Sequence, residues 1–167
     1  MPERRKKKET ADREESQLGT KAEKRSGGGP VSKSMRLPMP RAKADELALR
    51  NHIALASMRE GKGSSYAAHT LLEAVMVTGF LVESGHGQLD PARALDAEKA
   101  ACDAIDRGKK SDQWFLELAD VEKLAEIVTL YDQQFRDAPL SAVADASDRL
   151  VRFKAGLPFG LARKRRF

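Results

Sequence analysis

One cysteine, Cys102, stands in the 167 residues, so no intrachain disulfide can form and a reducing compartment is favoured. Long hydrophobic runs are also missing. The longest, Thr70 to Val82, is thirteen residues interrupted by Glu73, whereas a membrane span needs about 20. No apolar stretch follows Arg4-Arg5-Lys6-Lys7-Lys8, so no secretory signal is expected there. No run of alternating apolar and polar residues is long enough for a strand, and no segment repeats. The expectation is an all-α protein in the cytoplasm.

Charge is present and unevenly placed. Residues 1–36 hold eleven Lys/Arg against six Asp/Glu, a net of +5. Residues 157–167 hold four basic residues and no acid, a net of +4. Between them, residues 37–156 hold fifteen basic and nineteen acidic residues, a net of −4. The basic balance therefore belongs to the ends, and it points to a polyanionic partner for them. Residues 1–36 are polar, with Ser26-Gly27-Gly28-Gly29-Pro30 in the middle and almost no large apolar side chain. Such a stretch cannot offset an ordering cost of about 1–2 kcal/mol per residue, which predicts a disordered basic arm. Leu37-Pro38-Met39-Pro40 then imposes an extended approach to a first helix.

The periodicity of 37–156 predicts a compact bundle of about five helices. The first spans Ala42 to Glu60, with Leu47, Ala48, Asn51, Leu55 and Met58 on one stripe, and Gly61-Lys62-Gly63 stops it. A second, capped by Ser64 or Ser65, carries Ala68, Leu71, Leu72, Val75, Met76, Gly79 and Phe80 at helical spacing. Val77, Leu81 and Val82 add apolar cover on its other side, which places this helix in the middle of the bundle. It ends at Gly85-His86-Gly87. Asp90-Pro91 caps and opens a third helix, expected to stop at Gly108-Lys109-Lys110 after an inner face of Ala94, Ala97, Ala101, Ala104 and Ile105. Trp114-Phe115-Leu116 forms a packed connector. The fourth helix, Asp120 to Arg136, has a stripe of Val121, Leu124, Ile127, Val128, Tyr131 and Phe135. The fifth follows Asp137-Ala138-Pro139 and runs to Lys154, on Leu140, Val143, Ala144, Leu150, Val151 and Phe153.

Catalytic and metal motifs fail on spacing. Gly61-Lys62 lacks the glycine five residues earlier, where Ala56 stands, and Gly63 replaces the Ser/Thr that a phosphate loop needs. His52, His69 and His86 are seventeen residues apart, with no i, i+4 partner to share a metal. His52 lies near a helix stripe and reads as a hydrogen-bonded core or boundary residue. Cys102, among alanines on an amphipathic helix, reads as a small buried or boundary residue rather than a nucleophile. Adjacent acids such as Asp45-Glu46 point about 100° apart on a helix, which does not make a catalytic pair. The expectation is a non-enzyme with no cofactor and no metal.

A helix-turn-helix needs a tight turn followed by a helix with polar side chains for base edges. After Gly61 comes the most apolar helix of the chain, after Gly85 comes Pro91, and after Gly108 comes Trp114-Phe115-Leu116. None of the three fits. The nucleic-acid signal lies in the tails, at Arg4, Arg5, Lys6, Lys7 and Lys8 and at Arg163, Lys164, Arg165 and Arg166. Each basic group set against a phosphate releases a counterion and gives affinity without sequence preference. Phe159 and Phe167 flank the second cluster, where they can stack on bases or dock on a partner.

Arg50-Asn51-His52-Ile53-Ala54-Leu55, Thr78-Gly79-Phe80-Leu81, Leu130-Tyr131-Asp132-Gln133-Gln134-Phe135 and Arg149-Leu150-Val151-Arg152-Phe153 together resemble a group of short helical bacterial proteins labelled Fis-family transcriptional regulators. The resemblance spans residues 37–155 and implies a bacterial cytoplasmic setting and a regulatory role. The expected function is thus a nucleic-acid-associated accessory or regulatory protein. Its tails would hold the phosphate backbone without sequence preference, DNA ahead of RNA, and its body would engage a protein or a second copy. The alternative is a protein-interaction module with incidental basic tails. Neither reading includes a membrane.

Overall fold

The computed structural model describes residues 32–156. The chain divides into two units, Met1–Pro30 and Val31–Phe167, and every described residue belongs to the second. Most of the expected basic arm and the whole of the tail 157–167 lie outside the described residues. Within the span first assigned to the arm, Lys33–Arg36 form a single 3-10 turn. It packs on the last helix, and Leu37 O accepts the Leu140 N–H at 2.8 Å. The body therefore begins a few residues before Leu37, because backbone pairing with the far end of the chain holds this segment.

Five helices follow: α1 Arg41–Arg59, α2 Ser65–Glu83, α3 Pro91–Ser111, α4 Leu118–Asp137 and α5 Leu140–Lys154. The described residues contain no strand; an isolated antiparallel bridge joins Pro38 to Pro139. The caps form where the sequence placed them. Ser64 accepts the Ala67 N–H at 3.2 Å and Asp90 accepts the Ala92 N–H at 2.9 Å ahead of Pro91. Gly61, at φ +71°, makes the reversal between α1 and α2 that a side chain would strain.

The second helix is the axis of the molecule. It packs against α1, α3, α4 and α5 and buries residues on all sides, including Leu71, Val75, Val77, Phe80 and Leu81. Burying each such side chain is worth roughly 1.5–3 kcal/mol. By length and composition α2 could cross a membrane, but here it is the core helix of a bundle. The core has two lobes. One gathers Met58, Leu71, Val75, Ile105, Leu124, Ile127 and Val128; the other gathers Phe80, Leu81, Tyr131, Phe135 and Val143, with Tyr131 and Phe135 stacked at 4.0 Å.

Three expectations are corrected. Gly108 does not end α3, which continues to Ser111 and terminates on Asp112 in the left-handed region. Gly108 is buried inside the helix because the Trp114 ring lies across it. The fourth helix starts at Leu118, before Asp120. On α5, Val151 is largely and Phe153 partly exposed instead of being buried. This outermost helix packs on α2 and on the 3-10 turn, so a narrow stripe around Val143 and Ala146 is all it buries.

Candidate functional site

The nine basic residues singled out by sequence, Arg4, Arg5, Lys6, Lys7, Lys8, Arg163, Lys164, Arg165 and Arg166, lie outside the described residues. On α5, Arg149 bonds Glu83 at 2.5 Å and stacks on the Phe80 ring at 4.1 Å, and Lys154 bonds Glu73 at 2.5 Å. Both cations are engaged by acids of α2. The outer side of α5 exposes Asp145 and Asp148 beside Arg152. The tight α4–α5 turn at Ala138-Pro139 therefore presents no reading helix.

The most distinctive chemistry of the described residues is a polar seam where α1 meets α4 and α2. His52 Nε2 lies 2.7 Å from Asp132 Oδ2, a pair 80 residues apart in sequence. One turn further along α4, Arg136 donates to Asp45 at 3.1 Å, so a hydrogen bond and an ion pair clip α1 to α4. His52 is about half exposed and Asp132 largely buried. Inside them, Asn51, Thr78 and Gln134 are buried. Gln134 Nε2 donates to the carbonyls of Thr78 at 3.2 Å and His86 at 2.8 Å, which ties α4 to α2 and to the loop after it.

The seam is incompletely satisfied. Both amide atoms of Asn51, Thr78 Oγ1, Arg50 Nε, Asp132 Oδ1 and Gln134 Oε1 are buried without a hydrogen bond. Asn51 leans toward the Tyr131 phenol, but the alignment satisfies neither of its amide atoms. Burial pushes the Tyr131 hydroxyl up to about 12, against the opposing pull of the Arg50 charge and of Asn51.

The histidines do not converge. His69 Nδ1 sits 2.7 Å from Ser65 O on its own helix, and His86 lies in the loop after α2. Among the described residues no group of three His, Cys, Asp or Glu side chains could hold a metal ion. Cys102, expected at least at the boundary of the core, is exposed on α3, because the buried side of that helix runs through Ala97, Ala101, Ala104 and Ile105. Partial burial, with Glu98, Asp106 and Asp103 nearby, pushes its thiol up and keeps it protonated, a poor nucleophile.

An open groove of about 400 Å³ runs between α3 and α4, lined by Arg93, Asp96, Glu122, Lys123, Glu126 and Ile127. Its charges pair locally: Arg93 with Glu126 at 2.6 Å and Lys123 with Asp120 at 2.8 Å. Those partners raise both cations, which stay charged and engaged. No protein-family model, characterised protein or solved structure matches the chain.

The sequence located the apolar stripes but missed the seam. Asn51, Thr78 and Gln134 each occupy a core position of a helix, and that register was the available signal. The partnership of His52 with Asp132 left none, because it is made by the crossing of α1 and α4.

Proposed function

We propose that this chain is a non-enzymatic nucleic-acid-associated accessory or regulatory protein, with tails that hold the phosphate backbone and a helical body that engages protein. The observation that carries this reading is the segregation of charge: ends at +5 and +4 around a body at −4. A fold that needed only solubility could scatter thirty basic residues over its surface. Here nine of them stand in two short clusters, Arg4–Lys8 and Arg163–Arg166, while in the body Arg93, Arg136, Arg149 and Lys154 among others pair with Asp and Glu.

The arrangement around α5 is compatible with a two-armed grip. The 3-10 turn Lys33–Arg36, next after the N-terminal segment, packs on α5, and the C-terminal segment follows the end of that same helix. Two basic clusters on one chain can hold phosphates of a single duplex. Their contacts carry no base information, so recognition is non-specific and DNA in the cytoplasm is the favoured ligand. The resemblance to short helical regulators supports the same setting.

The test is a titration of the full chain against random-sequence duplex DNA at two salt concentrations. Binding that weakens steeply with salt is expected. No measurable binding at low salt would sink this reading and leave a protein-interaction module as the better account.

A further inference from the structure

The two halves of α5 are held differently. The first half buries Val143 and Ala146, and its first turn is tied by the Leu140 N–H to Leu37 O. From Ser147 to Lys154 no residue of the helix is buried. That half lies on α2 through Arg149 paired with Glu83 and Lys154 paired with Glu73, both at 2.5 Å. The Arg149 guanidinium also covers the Phe80 ring, and Leu150 packs at the edge of the second lobe of the core. Charge therefore does for these two turns what apolar burial does for α1 to α4, each of which buries five residues or more.

We infer that Ser147–Lys154 is a charge-latched strap, which peels from α2 while the rest of the bundle stays folded. Segments with few buried apolar side chains open at a lower free energy than the whole domain. The latch is within reach of salt. Arg149 and Glu83 are 30% and 39% exposed, and Lys154 and Glu73 57% and 28%. Pairs so placed are screened as the Debye length shrinks from about 30 Å at 0.01 M salt to about 3 Å at 1 M.

Closed, the strap covers Phe80 and neutralises Arg149 and Lys154, two of the three cations in its length. Open, it frees both beside Arg152 and bares the Phe80 ring, with Glu73 and Glu83 released on α2. The strap does not depend on the tails binding nucleic acid. If they do, a polyanion competes with the two glutamates for Arg149 and Lys154 and favours the open form.

Native-state hydrogen exchange of the full chain, without nucleic acid and at low and high salt, tests the inference. Amides of the second half of α5 should exchange roughly three- to tenfold faster in about 1 M salt, while those of α2 keep their protection. Glu73→Gln with Glu83→Gln should give the same acceleration at low salt and abolish the response to added salt. Asp45→Asn, which releases Arg136 from the α1–α4 clip, should leave α5 as it was. Exchange of α5 that ignores salt, a double variant no faster than the parent, or α5 amides that exchange only together with those of α2 would overturn it.

Discussion

The indole of Trp114 lies so closely over Gly108 that a Cβ added there would sit 2.5 Å from Cζ3 and nearer still to Cε3. The contact closes the α3–α4 connector onto the first turn of the bundle. Trp114 O accepts the Gly63 N–H at 3.1 Å, Leu116 N–H donates to Met58 O at 3.0 Å, and Trp114 Nε1 donates to Asp112 at 3.0 Å. Gly108→Ala gains about 1 kcal/mol of helix propensity but drives a methyl into a rigid ring, an overpacking cost of about 1–3 kcal/mol. The net expectation is a loss of about 0–2 kcal/mol. Because Trp114 is the single tryptophan, its fluorescence reports the displacement directly. A variant as stable as the parent with unchanged emission would mean that the connector yields freely.

That relationship also marks the limit of what the sequence made legible. A glycine near the end of a periodic segment reads as a helix stop, and the tryptophan that fills its missing Cβ lies six residues on, beyond a turn. Element existence followed from period 3.6, and α2 was identified as central because Leu71, Val77 and Leu81 cannot share one face. Which side of α1 turns inward also followed, since the stripe of Ala48, Asn51 and Met58 is buried with Leu47 and Leu55 at its edges, while Leu49 and Ile53 face out. The seam was illegible because His52–Asp132 and Thr78–Gln134 are products of crossing helices.

Val75, buried where α2 meets the first lobe of the core, is the position at which a charge is least tolerable. Val75→Asp should cost several kcal/mol, since no cation stands ready to pair with the carboxylate. Circular dichroism should show loss of the cooperative helical melt. A variant that melts within a few degrees of the parent would mean that α2 is not the axis of the fold.

Thr78 Oγ1 is fully buried and unbonded. Replacing it with a methyl of nearly the same shape removes a desolvated hydroxyl, so Thr78→Val should raise stability by about 1 kcal/mol, read from denaturant midpoints. Destabilisation instead would show that the hydroxyl has a partner, with an internal water bridging to Gln134 Oε1 or Asn51 as the candidate.

Tyr131 makes a pH prediction whose sign is fixed. Burial raises its pKa to about 12 in the folded state, above the usual value of 10. The unfolded chain therefore loses this proton first as pH rises. The stabilising contribution is whole below pH 10 and is lost between about 10 and 12, amounting to roughly 2–3 kcal/mol. Tyr131→Phe should lower stability near neutrality little and flatten the fall over that window. Equal alkaline slopes for parent and variant would show that the phenol is not held neutral by the fold.

The tails offer the prediction on which the functional proposal turns. Nine basic groups fully engaged would give a slope of log affinity against log salt of roughly −8, at about −0.9 per phosphate. Nine charges are seldom all seated at once, so about −4 to −6 is expected. Replacing Arg163, Lys164, Arg165 and Arg166 together by Gln in the full chain removes up to four contacts, which should lower the magnitude of the slope by up to about 4. The bundle should keep its melting temperature, because those positions follow the last helix, α5, and supply none of the buried core described in either lobe. If the slope is unchanged while affinity persists, the phosphates are held elsewhere. In the body Arg93, Lys123, Arg136, Arg149 and Lys154 are each engaged by an acid, while Arg59, Lys99, Lys109, Lys110 and Arg152 are exposed. Such an outcome would move attention to Arg4–Lys8 and to the exposed Lys33 and Arg36 of the 3-10 turn, the basic residues next to the N-terminal segment.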